Sequence, residues 1–163
     1  DGTKEFINKT GEFTVNIALI KNNYPIFGSV YAPYKKELFW AFEGLGAWKS
    51  CNKDIEKRIT VTPNEQEKRI VISRSHPNEK VSKFINQYKC HQLIRMGSSL
   101  KLCCIAEGKA DIYPRLGPTS EWDIGAAQCV VEQAGGSVLE YESNQRLKYN
   151  KENILNPFFI VSA

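Results

Sequence analysis

Apolar and polar residues alternate along the first third of the chain, with the period expected of β-strands that bury one face. The alternating segments are residues 13–20, 24–32 and 38–42. Short polar turns separate them, and a glycine-rich stretch at 44–48 indicates a further turn and a short strand. The pattern predicts an antiparallel meander that ends at the charged stretch 50–57.

Beyond Arg69, short apolar runs alternate with helical patterns. The predicted strands cover 69–73, 92–96, 110–113, 137–141 and 158–161, and the predicted helices cover 78–88 and 99–107. Strands that alternate with helices in this way are typical of βαβα packing. We therefore expect an α/β layered fold, in which residues 1–56 form an antiparallel sheet unit and residues 57–163 form an α/β unit of the same domain.

The stretch Gly117 to Gly136 contains the helix with the clearest sequence signals. Its apolar residues recur at helical spacing, at Ala126, Ala127, Val130, Val131 and Ala134. Ser120 is a suitable N-cap, and the pair Gly135-Gly136 can end the helix in the left-handed conformation. The sequence predicts an amphipathic helix that starts near Ser120, with Asp123 in its first turn.

Asp123 has two interpretations. It lies three residues after Ser120 and completes a capping-box pattern, in which the carboxylate accepts a hydrogen bond from the N-cap backbone. Alternatively, it is a ligand for a hard cation at a helix N-terminus, where the helix dipole also favours a substrate phosphate. The helix pattern alone favours the cap, because acidic residues are common in the first turn of any helix.

Composition limits the class of protein. The chain has 163 residues, of which 42% are hydrophobic and 25% charged, and this is typical of one folded globular unit. The net charge of +4 is mild and the charges are interspersed, which argues against binding to a nucleic-acid polymer. The five cysteines lack C-x-x-C spacing, so we expect reduced, mostly buried thiols in a cytosolic protein. We find no apolar run long enough to predict a membrane span and no signal-peptide pattern.

Two further stretches have side chains suited to a phosphate or a cation. The segment Asp1-Gly2-Thr3 places a carboxylate, a flexible backbone and a hydroxyl in succession, although an ordinary Asp-Gly turn has the same sequence. The sequence MGSSLK joins a predicted strand to a predicted helix, so Ser98 or Ser99 is expected to cap that helix. Lys101 would add a positive charge there. A plain cap with a solvated lysine is the alternative.

Arg115 and His76 are weaker candidates. Arg115 precedes Asp123 by a short loop, and a guanidinium can bind a phosphate through two hydrogen bonds. His76 ends the sequence SRSH after a predicted strand, where it could contact a ligand or cap the following helix. Cys103 and Cys104 are interpreted as packing residues, because nothing nearby in the sequence would lower a thiol pKa.

Two motifs, in order, resemble those of the inositol monophosphatase superfamily of magnesium-dependent, lithium-inhibited phosphomonoesterases. The opening DGTKEF, followed by GEFTVNIAL, is similar to the sequence around the family's first metal motif, D-P-x-D-G-T. The stretch WDIGAAQCVVEQAGG is similar to its second metal motif. Within the superfamily, SRSH, GSSLK and AEGKADIYPRLGPTSEWD resemble the bacterial 3′(2′),5′-bisphosphate nucleotidases. The resemblance extends along essentially the whole chain.

This resemblance implies a role for each matching residue. Asp1 and Asp123 would be metal ligands, with two or three Mg²⁺ ions as cofactors. Gly2 and Thr3 would contact the scissile phosphate and the metal-bound water, so that Asp1, Thr3 and Asp123 form the catalytic set. The positions implied to hold the nucleotide and its non-reacting phosphate are His76, Ser98, Lys101 and Arg115.

The implied reaction is hydrolysis of the 3′-phosphate of adenosine 3′,5′-bisphosphate to AMP and phosphate, a step of sulfur assimilation and nucleotide recycling. An inositol or sugar phosphatase of the same superfamily is the nearest alternative. A non-catalytic nucleotide-binding or assembly fragment is an alternative of another class. The substrate would be a small molecule, and the oligomeric state stays open.

The family's first metal motif has acidic residues upstream of the position of Asp1. We therefore expect this chain to lack the N-terminal part of the fold and to keep two of the metal carboxylates. The resemblance also implies a cytoplasmic location, with a peripheral position at the inner face of the bacterial inner membrane as the alternative.

Overall fold

The computed structural model describes residues 1–52, 55–74 and 79–163. A short helix, α1 (Thr3–Ile7), precedes a five-stranded antiparallel sheet with the strands in sequential order. The strands are β1 (Val15–Lys21), β2 (Tyr24–Ala32), β3 (Glu37–Phe42), β4 (Gly46–Cys51) and β5 (Lys57–Ile59). The predicted antiparallel meander is therefore confirmed.

Two elements of this first region were not predicted from the sequence. β5 is short and charged and lacks alternation, but it pairs with β4 and extends the sheet beyond the charged stretch. α1 follows Gly2, whose φ of 91° lies in the left-handed region that favours glycine. It has only five residues and none of them is buried, so it leaves no helical pattern in the sequence.

A second sheet, with strand order β7-β6-β8-β10-β9, follows in the chain. Its elements are β6 (Lys68–Ser73), α2 (Glu79–Ile85), β7 (His91–Met96), α3 (Leu100–Ala106), β8 (Ile112–Arg115), α4 (Glu121–Gln133), β9 (Ser137–Glu140) and β10 (Phe159–Ser162). β6 runs parallel to β7 and β8, whereas β10 is antiparallel to both of its neighbours. The predicted α/β alternation is confirmed.

Helices α3 and α4 link the two sheets. The main core joins buried residues of the first sheet, such as Val30 and Phe39, to those of α3, α4 and the second sheet. α4 approaches β2 so closely that a Cβ at Gly28 would lie 2.1 Å from the carbonyl oxygen of Ala126. Only glycine fits at that crossing. The first turn of α4 is thereby held close to the first sheet.

The carboxyl ends of the parallel strands lie at one edge of the second sheet. Ser73 ends β6 opposite Met96, which ends β7, and Arg115 ends β8. In sheets of this type, ligands bind beyond the carboxyl ends of parallel strands. The loops after β7 and β8 lead into α3 and α4. The predicted site residues Ser98 and Lys101, which follow β7, and Asp123, which follows β8, therefore lie at this edge.

Candidate active site

The structure brings most of the predicted site residues to one cavity. Asp1, Ser98, Lys101, Arg115 and Asp123 all line a cavity of about 180 Å³. A neighbouring cavity of about 710 Å³ is lined by Gly2 and Thr3 and shares Asp1 and Asp123 with the first. His76 lies outside the described residues, so its predicted role stays a prediction.

Asp123 is held by its own helix. The backbone N–H of Ser120 donates to Asp123 Oδ2 at 2.9 Å, which is half of the capping box that the sequence predicts. Within the described ranges, Asp123 Oδ1 has no hydrogen-bond donor, and the residue lines both cavities. The cap therefore uses one carboxylate oxygen and leaves the other available to a cation.

Asp1 is held by residues far away in the sequence. Ser98 Oγ donates to Asp1 Oδ2 at 2.6 Å across 97 positions. The Asp1 main chain also pairs with Thr14, whose N–H donates to Asp1 O at 3.0 Å. The position of the Asp1 carboxylate consequently depends on the turn between β7 and α3.

That turn has an unusual backbone. Ser98 has φ of 53°, in the left-handed region that non-glycine residues seldom adopt. The N–H of Gly97 donates to Glu12 Oε2 at 2.8 Å, and the guanidinium of Arg74 binds the other oxygen of the same buried carboxylate at 2.8 Å. A Cβ at Gly97 would lie 2.6 Å from Cγ of Glu5, so glycine allows the turn to pack against α1.

Ser99 stands at the N-cap position of α3, as predicted, but the expected cap hydrogen bond is absent. Neither serine of the turn makes a side-chain cap to this helix. Ser98 Oγ binds Asp1 instead, and Ser99 Oγ lies 2.9 Å from Asn16 Oδ1. The hydroxyls of both serines are therefore bonded to Asp1 and to Asn16 of β1 rather than to the backbone of α3.

Lys101 is buried rather than solvated, so the alternative of a surface lysine is wrong. It is 6% exposed, Nζ donates to Ser98 O at 2.6 Å, and the ammonium lies 5.4 Å from the centre of the Tyr113 ring. Burial, together with the positive charge of Arg115, lowers the pKa of Lys101 to about 8. The cavity therefore contains an ammonium group with a single hydrogen-bond acceptor among the described residues.

Arg115 adds a second cation. Its Nη2 donates to Pro118 O at 2.6 Å, and its Nε is buried without a hydrogen-bond partner in the part of the chain that the structure describes. A buried N–H donor without an acceptor is costly, and a ligand oxygen would satisfy it. Tyr113 lines the same cavity, and burial raises its pKa to about 12, so this phenol stays neutral.

Sequence reasoning missed two acidic residues at the site. Glu5 lines both cavities and lies against Gly97, and Glu12 anchors the turn before α3. Glu5 belongs to DGTKEF, but it follows Thr3 by only two residues, a spacing at which helical side chains do not face each other, so no local pattern indicated it. Glu12 had no local signal, because its partners are distant in the sequence.

The carboxylates and hydroxyls at the two cavities are hard oxygen ligands of the kind that Mg²⁺ binds. Asp1 and Asp123 both have oxygens at the shared cavity wall, so the donor set fits this ion. Residues 1–52, 55–74 and 79–163 contain no group of three or more acidic, histidine or cysteine side chains close enough to hold a metal. A magnesium site built with Asp1 and Asp123 would therefore need further ligands.

The cysteines have no part in this site. Cys103, Cys104 and Cys129 are buried and all five thiols are free, as predicted. Burial raises the pKa of Cys104 to about 11 and that of Cys129 to about 12, so both stay protonated near neutral pH. These thiols pack the core and are not nucleophiles.

The sequence pattern of the inositol monophosphatase family matches residues 1–158. The chain belongs to this family. It is 44% identical over 163 residues to the 3′(2′),5′-bisphosphate nucleotidase CysQ of Salmonella typhimurium and 45% identical to CysQ of Escherichia coli strain K12. In each case the match covers 99% of this chain and 65% of the relative, so the chain spans slightly less than two thirds of these family members.

Solved structures of the family have the same fold. CysQ from Bacteroides thetaiotaomicron superimposes with a TM-score of 0.92 at 41% identity, covering 100% of this chain and 67% of the other. Inositol monophosphatase from Anabaena superimposes with a TM-score of 0.80 at 29% identity, covering 99% of this chain and 66% of the other. The family assignment confirms the resemblance that the two metal motifs indicated.

Proposed function

We propose that the protein is a magnesium-dependent phosphomonoesterase that hydrolyses the 3′-phosphate of adenosine 3′,5′-bisphosphate to AMP and phosphate. The observation that carries the proposal is that Asp1 and Asp123 line one cavity together with the buried ammonium of Lys101 and the half-buried guanidinium of Arg115. Identity of 44–45% to two nucleotidases supports the same reaction.

Asp1 and Asp123 would hold the metal, as two or three Mg²⁺ ions, from two sides of the cleft. When bound, Mg²⁺ lowers the pKa of a coordinated water and neutralises the leaving oxygen. Thr3 lines the wider cavity beside both aspartates, where its hydroxyl would orient the attacking water. Gly2 lines the same cavity, where its backbone would contact the phosphate.

The phosphate would be bound by cations of this chain. Arg115 Nε is a buried donor that needs an acceptor, and a phosphate oxygen supplies one. Lys101 contributes an ammonium that is already desolvated, so its attraction to a phosphate is screened less than that of a surface lysine. The N-terminal dipole of the 13-residue helix α4 adds to the positive potential.

A nucleotide fits the surroundings of the site better than a small polyol. Beyond Tyr113 and Arg115, a cavity of about 540 Å³ continues from the first one. Its walls include the apolar side chains Ile72, Val81, Ile85, Leu93 and Leu116, with Arg95 at the edge. Such a wall suits a base and ribose, and Arg95 suits a second phosphate.

Two alternatives are favoured by particular observations. Similarity to the Anabaena inositol monophosphatase, at 29% identity, supports a sugar phosphatase. The incomplete set of carboxylates among the described residues supports a nucleotide-binding protein without turnover. The cytoplasmic location stays a prediction, and the described residues include no helix long and apolar enough to cross a membrane.

The test compares two substrates in the protein at its full natural length. We expect Mg²⁺-dependent phosphate release from adenosine 3′,5′-bisphosphate to exceed that from inositol 1-phosphate. In Arg115→Ala, KM for the bisphosphate should rise roughly tenfold to a hundredfold, since a charged hydrogen bond is lost. KM for a simple monophosphate should change far less.

Equal effects of Arg115→Ala on both substrates would show that Arg115 is structural. Higher kcat/KM for inositol 1-phosphate would support the sugar phosphatase instead. Binding of the bisphosphate by calorimetry without any phosphate release would support the non-catalytic alternative.

A further inference from the structure

Buried hydroxyl groups connect Asp1 to Asn16 on β1, the edge strand of the first sheet. Ser98 Oγ lies 2.6 Å from Asp1 Oδ2 and 2.5 Å from Thr14 Oγ1. Thr14 Oγ1 lies 2.8 Å from Ser99 Oγ, which lies 2.9 Å from Asn16 Oδ1. We call this series, from Asn16 through Ser99, Thr14 and Ser98 to Asp1, the hydroxyl relay.

The number of protons determines the direction of the relay. It has four contacts, but its three hydroxyls carry one proton each, and an ionised Asp1 carries none. Asn16 presents its carbonyl oxygen Oδ1 to Ser99, so both ends of the relay are acceptors. Three protons then serve four contacts, and one contact joins two oxygen lone pairs.

Water is poorly placed to correct such a mismatch. Thr14 is 4% exposed, Ser98 8% and Ser99 2%. Two oxygens of the relay then lie within 2.9 Å of each other with no proton between them, which is repulsive. A proton on Asp1 would also balance the count, but it would remove the charge that makes Asp1 a cation ligand.

A rotation of the Asn16 amide by about 180° resolves the count completely. The amide N–H then donates to Ser99, which donates to Thr14, which donates to Ser98, which donates to Asp1. Every hydroxyl gives one hydrogen bond and accepts one, and the four bonds reinforce each other. Only this direction leaves Asp1 ionised and every contact satisfied.

We propose that Asn16, Ser99 and Thr14 are positioning residues, which hold Ser98 as a donor to Asp1 through a hydroxyl relay that runs in one direction. The proposal rests on the proposed role of Asp1 as a metal ligand. Ser98 has a left-handed backbone, so its side chain needs such support on both sides. The relay fixes which oxygen of Asp1 is engaged and leaves the other for the cation.

The direction of the relay can be measured without magnesium. In wild-type protein we expect one of the two Asn16 side-chain amide protons to be protected from hydrogen exchange in NMR spectra. Asn23, whose Nδ2 donates to Tyr149 O at 2.6 Å, is the reference for a bonded amide, and exposed Asn144 is the reference for a free one. Ser99→Ala should remove the protection of Asn16 and leave Asn23 unchanged.

The positioning role is tested by Thr14→Val, which keeps the shape but removes the hydroxyl from the centre of the relay. We expect Mg²⁺ affinity measured by calorimetry to fall about tenfold, and kcat to fall with KM nearly unchanged. Thr14→Ser should restore both. Ser162→Ala is the matched control, because it removes a hydroxyl from the Ser137–Ser162 pair, 2.9 Å apart in the other sheet.

The outcomes separate this proposal from the proposed function. Exchange of both Asn16 protons at the rate of Asn144 would overturn the direction of the relay. Unchanged Mg²⁺ affinity and kcat in Thr14→Val, with only a lower melting temperature, would overturn the positioning role. If wild-type protein binds no Mg²⁺ while Asn16 is protected, the proposed function fails and the direction of the relay is supported.

Discussion

The two aspartates at the cavity are held in different ways. Asp123 accepts a hydrogen bond from the backbone of Ser120, three residues before it on the same helix. Asp1 accepts one from the side chain of Ser98, 97 residues away, in a turn that depends on further distant residues. A local arrangement places one carboxylate, and the tertiary structure places the other.

The positions of the two carboxylates therefore differ in how sensitive they are to substitution of their neighbours. The hold on Asp123 survives any substitution that keeps the start of α4, because its donor is a main-chain group. The hold on Asp1 depends on a hydroxyl, on a left-handed serine and on the carboxylate of Glu12 that anchors Gly97. We therefore expect substitutions around Asp1 to disturb the site more easily than those around Asp123.

Removing either carboxylate charge should have the largest effect on turnover. The loss should be equally large for the two aspartates. In Asp123→Asn we expect Mg²⁺-dependent turnover to fall on the order of 1000-fold, which corresponds to about 4 kcal/mol of transition-state stabilisation. The melting temperature should change little, because an asparagine oxygen can still accept from Ser120. Asp1→Asn should reduce turnover as strongly. Normal phosphate release by either variant would contradict its role as a metal ligand.

The buried ammonium of Lys101 gives the next largest effect, on stability. Its pKa falls from 10.5 to about 8, mainly by burial, so the unfolded chain binds more protons between these pH values and stability rises with pH there. Relative to Lys101→Met, the wild-type protein should be less stable by about 3 kcal/mol below pH 8. The difference should disappear towards pH 10.5.

Urea unfolding at several pH values measures this difference. Asp123 raises the pKa of Lys101, so in the Asp123→Asn background the pH window should begin lower. A stability difference between wild type and Lys101→Met that is independent of pH would show that Lys101 does not titrate in this range.

Alanine substitutions of Ser98 and Ser120, which bind Asp1 and Asp123, should have the smallest effects and should distinguish the two aspartates. Ser98→Ala removes the donor to Asp1, so Mg²⁺ affinity should fall about tenfold. Ser120→Ala keeps the main-chain donor to Asp123, so Mg²⁺ affinity should stay unchanged while the free energy of unfolding falls by about 1 kcal/mol or less. Calorimetry and urea unfolding distinguish the two. Equal losses of Mg²⁺ affinity in the two variants would contradict the claim that Asp123 is placed locally and Asp1 by the tertiary structure.

The same distinction explains what could be predicted from the sequence. The meander, the α/β alternation and the first turn of α4 all follow from residues close together in the chain. The family motifs indicated Asp1 as well, but the pattern of residues around it gave no geometry. Sequence reasoning placed Ser98 and Ser99 in a helix cap because both precede a helix, which is a common arrangement.

The remaining features depend on contacts that no local pattern records. Lys101 is buried because Tyr113 and the turn before α3 cover it. Glu12 has an ordinary surface sequence around it, yet its carboxylate is buried and binds Arg74 and Gly97. α1 and β5 are too short to show a period, and β5 is defined by its pairing with β4.

The central claim is that Asp1 and Asp123, held by different means, bind the same metal. Anomalous diffraction from crystals of the protein soaked with Mn²⁺, a substitute for Mg²⁺, tests it most directly. We predict a strong anomalous peak within coordination distance of carboxylate oxygens of both Asp1 and Asp123. A peak bound by only one of them, or no peak in this cavity, would contradict the account.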